Sequence, residues 1–139
     1  MKDLREFDTN RFTEFDGQKL PYDSSYFDAV LLAFVLHHIP NEKKITLLKE
    51  VMRVTKGVII ILEDTPRNIL DVIMSNLHGR RFRKKVGSQE DFGFYSQEGW
   101  ENIFLELGLK IHVSERLNRF CRTWHQPFAR SKFVLMKNA

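Results

Sequence analysis

Cysteine is almost missing from this chain: Cys121 is the one thiol in 139 residues. An internal disulfide is excluded, and the composition fits a reducing compartment, so a cytoplasmic location is expected. Cys121 has no identified histidine partner, which sets it aside as a nucleophile. Long apolar runs are lacking too. None approaches the roughly 20 residues that span a bilayer. The first six residues of the opening MKDLREFDTN carry acids at Asp3 and Glu6 and no apolar stretch, so neither a membrane helix nor a secretory leader is expected. Glycine is scarce and scattered. The seven glycines stand at 17, 57, 79, 87, 93, 99 and 108, no two within three residues, so a glycine-rich nucleotide loop is absent. Zinc-ligand spacing and internal repeats are also absent, and no metal is expected.

What is present suits one globular domain: 42% apolar residues, 29% charged, and a length that buries about two-thirds of the unfolded surface. The net charge of +4 draws on HGRRFRKK (78–85) and arginines 116, 119, 122 and 130. A solvated surface is the preferred reading of that charge. Nucleic acid is an alternative without an RNP-type aromatic motif to support it.

Residues 12–16, FTEFD, alternate with period two and end at Asp16-Gly17, which predicts a short strand and turn. Residues 18–26 read as loop. Residues 29–34, AVLLAF, are continuously apolar, the pattern of a strand buried on both faces. Asn41 is an expected N-cap, followed by Ile45, Leu48, Val51 and Met52 at helical spacing, with Lys43, Lys44, Lys49, Glu50 and Arg53 opposite. That helix is expected to stop near Lys56-Gly57, ahead of a buried strand at 58–62. Residues 67–80 predict a helix with Ile69, Leu70, Ile73 and Leu77 on one side, and 78–95 a basic loop or insert. Ser96 caps a helix over 97–107 that Gly108 ends. Strands at 109–114 and 132–137 close the chain.

The stretch DGQKLPYDSSYFDAVLLAFVLHHIPN, followed by LLKEVMRVTKGVIIILED, resembles the middle of class I S-adenosylmethionine-dependent methyltransferases. The acid-plus-small pair, the LP, the Asp opening a strand, the Leu-His-His turn, the Arg-Val helix end and the glycine-led strand occur in that order. Residues 100–110 extend the likeness. The resemblance implies an α/β fold: an incomplete Rossmann-like sheet with strands corresponding to 3, 4, 5, 7 and 6, the last in sequence antiparallel. The family's first two strands, its glycine-rich loop and its ribose-binding acid have no counterpart. The chain therefore reads as a single truncated domain, 1–139, that is expected to be inactive alone.

Carried over residue by residue, the resemblance makes Asp16 the acceptor for the adenine amine, with the Gly17 and Gln18 backbone beside the ring. Ala33, Phe34 and His38 would line the pocket. S-adenosylmethionine is the implied cofactor and a small molecule the expected methyl acceptor. His38 is the candidate general base, since histidine titrates near neutral pH; a packed turn histidine is the competing reading. Glu63-Asp64 ends a strand where open α/β sheets bind ligands, and equally suits a helix cap. Loss of a neighbouring strand would turn residues 28–34 into an edge, inviting a second copy or a complementing chain, or docking of residues 12–16. A non-catalytic interaction module is the remaining alternative.

Overall fold

The computed structural model describes residues 13–16, 18–73, 77, 93–117 and 129–137. Strand β1 (Phe27–Ala33) leads through a 3-10 turn (Leu36–His38) into helix α1 (Asn41–Val54), strand β2 (Thr55–Asp64), helix α2 (Gln97–Glu106), strand β3 (Leu109–Arg116) and strand β4 (Arg130–Lys137). The sheet order is β1-β2-β4-β3. Strands β1 and β2 run parallel, joined by α1 as a crossover; β4 is antiparallel to both its neighbours. This is the expected 4-5-7-6 arrangement with the last strand reversed.

One face of the sheet holds the core. Val30 pairs with Ile59, Ile59 with Leu135, and Leu135 with Ile111; one step on, Leu32, Ile61 and Phe133 form a second row. Leu47, Leu48 and Val51 of α1 and Trp100 and Phe104 of α2 cover these rows. Phe104 stands edge-on to Phe133 at 5.2 Å and stacks on Trp100 at 5.7 Å. The α2 boundaries follow from local chemistry. Ser96 Oγ accepts the Gly99 N–H at 3.1 Å, capping the start, and Gly108 takes a φ of +76° just past the end.

Four expectations need correction. Residues 13–16 form no strand: Thr13 Oγ1 instead accepts the Tyr22 hydroxyl, and Asp16 turns the chain. A five-residue alternation without a partner strand does not hold a ladder. Residues 29–34 are not buried on both faces, because among the described residues β1 pairs with β2 alone and Leu31 is 58% exposed. Asn41 is the first helical residue rather than the cap, a place Pro40 takes. Gly57 does not end α1. The helix passes at Val54 directly into β2, with Thr55 Oγ1 bonded to the Val51 carbonyl at 2.6 Å. Gly57 lies inside β2 where the register with β1 shifts, and a Cβ there would stand 3.0 Å from the Asp28 carbonyl oxygen.

The helix expected over 67–80 is present at 69–73, yet Ile69 and Leu70 are exposed. Periodicity marks an apolar side; it does not supply what covers it. No described helix is long and apolar enough to cross a membrane.

Candidate functional site

The carboxyl ends of β1 and β2 lie side by side, the edge at which open α/β sheets place their ligands. Phe34 continues β1 by donating its N–H to the Leu62 carbonyl at 2.8 Å, then adopts a φ of +56°. A non-glycine residue in the left-handed region costs on the order of 1 kcal/mol and persists only where its surroundings hold it. Here Arg130 holds it. The guanidinium lies 4.6 Å from the Phe34 ring centroid while its Nε donates to Asp64 Oδ1 at 3.1 Å. Burial pushes the Asp64 carboxyl pKa up, opposed in part by the Arg130 hydrogen bond.

The 3-10 turn that follows is fastened by Glu63. Its fully buried carboxylate accepts the Leu36 N–H on Oε1 at 2.6 Å, and Oε2 meets His37 Nδ1 at 2.6 Å. With the carboxylate accepting, the Nδ1–H tautomer of His37 is selected. His37 stacks against Phe94 at 5.3 Å, and the His38 ring lies 4.1 Å from that of His37. The two histidines are thus distinguished: His37 takes the buried carboxylate, and half-buried His38 ends the turn. Sequence reasoning named His38 and missed the His37–Glu63 pair. Its signal was an acid closing the apolar run VIIIL, a charge with no local reason to be in a core strand.

Asp16 sits apart in a turn of its own, where Oδ1 accepts the N–H groups of Gln18 at 2.8 Å and Lys19 at 3.1 Å. Those two bonds hold its exposed carboxyl below the usual range. Gly17, the basic segment 78–92, Arg119, Cys121 and Arg122 lie outside the described residues. The loop at 18–26 is pinned to α1. Arg53 donates to the carbonyls of Leu20 and Tyr22 at 2.9 and 2.8 Å, Glu50 Oε2 accepts the Leu20 N–H, and Ser25 N–H reaches the Arg53 carbonyl. The arginine of the Arg-Val pair therefore fastens the loop to α1. Among the described residues no three His, Cys, Asp or Glu side chains gather as a metal site.

Lys44 departs furthest from its expected place on the polar side of α1. It is 1% exposed, its Nζ donating to Asn41 Oδ1 at 2.7 Å and to the Gly93 carbonyl at 2.5 Å, 4.9 Å over the Tyr95 ring. Burial drives its pKa from 10.5 to about 8, against the opposing pull of Glu63. The folded pKa lies below the unfolded one, so between those values the unfolded chain binds more protons and stability rises with pH. Denaturant titrations are expected to show that rise between about pH 8 and 10.5, amounting to roughly 1–3 kcal/mol after allowance for screening. Lys44→Met should abolish it. An unchanged pH slope in the variant contradicts the assignment.

Residues 2–61 match the family model of a methyltransferase domain. A comparison with curated proteins finds no match. Among solved structures, the chain resembles a SAM-dependent methyltransferase from Aquifex aeolicus at 13% identity and TM-score 0.60, over 91% of this chain and 54% of that one. Magnesium protoporphyrin IX methyltransferase from Synechocystis, solved with SAH, gives 12% identity and 0.58, over 89% and 49%. The [4+2]-cyclase SpnF gives 14% and 0.66, over 92% and 56%. The chain thus has the fold of part of a SAM-dependent methyltransferase, and spans about half the length of these structures.

Proposed function

We propose that this chain forms the acceptor-side half of a SAM-dependent methyltransferase domain that acts on a small molecule. The observation that carries this reading is the reversed strand β4 lying between β2 and β3, beside residues that match the methyltransferase family model. Fold alone does not name a chemistry; the family match over β1, α1 and the start of β2 supports this one.

The fit to S-adenosylmethionine is that of one wall. Phe34, held with positive φ by Arg130, and Ala33, exposed at the β1 end, present a surface for the cofactor. Asp16, Gly17 and Gln18 would meet the adenine, and His38 the methionine side or the acceptor. The described residues contain no glycine-rich turn after a strand and no acid for the ribose hydroxyls. The cofactor supplies a methyl group on a positively charged sulfur, already activated for in-line displacement. What remains for the protein is alignment. The Glu63 clamp on Leu36 and His37 and the Arg130 clamp on Phe34 provide that rigidity, and His38 would take the acceptor proton.

The rest of the pocket must then come from a partner segment, on the same polypeptide or another, placed along β1. The exposed Leu31 and the edge of β1 that has no partner strand among the described residues support this. They equally support a module that only associates through that edge. Amide NMR with SAH added to the 139-residue chain separates the two. Weak shifts confined to Gln18, Ala33, Phe34 and His38 are expected; no shift at any SAH concentration leaves the interaction module.

A further inference from the structure

A depression lies at the same end of the sheet, towards β3. Pro66 and Arg67 enter it from the end of β2, Gln97, Glu98 and Glu101 from the first turns of α2, and Arg116 from the end of β3. The cleft is open, with a volume of about 520 Å³, a size suited to a small molecule.

Gln97, Glu101 and Arg116 of its lining belong to a connected set of hydrogen bonds. The Thr65 and Ser131 hydroxyls, both buried, lie 2.7 Å apart, and Ser131 Oγ donates to Gln97 Oε1 at 3.3 Å. Gln97 Oε1 also accepts Arg116 Nε–H at 2.9 Å, while Gln97 Nε2 donates to Ser114 Oγ at 2.7 Å. Ser114 donates in turn to Glu101 Oε1 at 2.5 Å. The Gln97 amide is thereby fixed from both ends. Arg116 is held through Nε, and among the described residues its terminal NH2 groups are not engaged. Arg67 is held only loosely, with Nε 4.0 Å from Asp71.

We infer that this cleft binds the oxyanion group of a small polar ligand, a carboxylate or phosphate, between Arg67 and Arg116, with Glu98 accepting from a hydroxyl or amine on the same molecule. Guanidinium forks match oxyanions in bidentate geometry, and a positioned fork loses less freedom on binding than a mobile one. The N-terminus of α2 adds its partial positive charge. Glu98 and Glu101 limit the total negative charge the cleft accepts, which favours a compact ligand over a polyanion such as nucleic acid. The inference rests on the methyltransferase reading only in making that ligand the methyl acceptor.

The test is titration of the isotope-labelled 139-residue chain with inorganic phosphate, and separately with acetate, at constant ionic strength. Saturable shifts of the arginine Nε–H signals of 67 and 116 and of the Gln97 and Glu98 amides are expected, and the tighter anion names the group. Arg116→Gln and Arg67→Gln should each weaken binding about tenfold, the loss of one charge-assisted contact, and Glu98→Gln should tighten it. Should Arg116→Gln disturb the fold, the exposed Glu98 variant decides alone. Shifts that never saturate, or that ignore all three substitutions, overturn the inference. SAH is not needed here, so this failure stays distinct from failure of the cofactor wall.

Discussion

Glu63→Ala is expected to lower the free energy of unfolding by about 3–5 kcal/mol, among the largest single effects available outside the aromatic core. Both carboxylate oxygens are engaged, and the side chain is fully buried. Its removal leaves the Leu36 N–H and His37 Nδ1–H without acceptors in a place water does not reach. Glu63→Gln keeps the shape and one acceptor but turns an NH2 towards one of those donors, so an intermediate loss of roughly 1–3 kcal/mol is expected. Urea unfolding with an unchanged m-value reads both directly. A loss below about 1 kcal/mol for the alanine variant would mean the 3-10 turn does not depend on this clamp.

Leu31→Lys is expected to suppress self-association while leaving the fold intact. Leu31 is 58% exposed on β1, which in the described residues pairs on one side only. An apolar edge of this kind recruits other strands, and a lysine on it is a standard deterrent. Sedimentation should show the parent chain associating with rising concentration. The variant should dissociate at least about tenfold more readily, near 1.4 kcal/mol. Its stability should move by less than about 0.5 kcal/mol, as for other surface changes. A parent chain that stays monomeric at all concentrations removes the association through β1, though not the strand order.

The parts legible in the sequence were those whose cause is local. VIIIL announces a strand, Ser96 a cap and Gly108 a stop, and each stands where periodicity and capping place it. The strand order was legible only through resemblance, since no residue pattern tells β4 to enter between β2 and β3. What escaped depends on partners remote in sequence. Lys44 looks polar-faced on the α1 wheel, but Gly93 and Tyr95, some 50 positions on, supply its carbonyl and aromatic ring. Gly57 looks like a helix stop; its cause is the Asp28 carbonyl across the sheet. His37 and His38 are indistinguishable as neighbours until the 3-10 geometry turns one of them to Glu63. The same limit applies to the candidate site residues. Asp16 is recognisable as a turn residue, and its turn is present, but the fastening of the following loop by Arg53 of α1 depends on carbonyls more than 30 positions away in sequence.

The most direct measurement is calorimetric titration of SAH into the 139-residue chain, alone and mixed with a polypeptide carrying the first two strands and glycine-rich loop of a methyltransferase of this fold. The half-pocket account predicts no saturable one-to-one heat for the chain alone and at least about a tenfold gain with the added half. Tight one-to-one binding by the chain alone, or no gain on mixing, contradicts it.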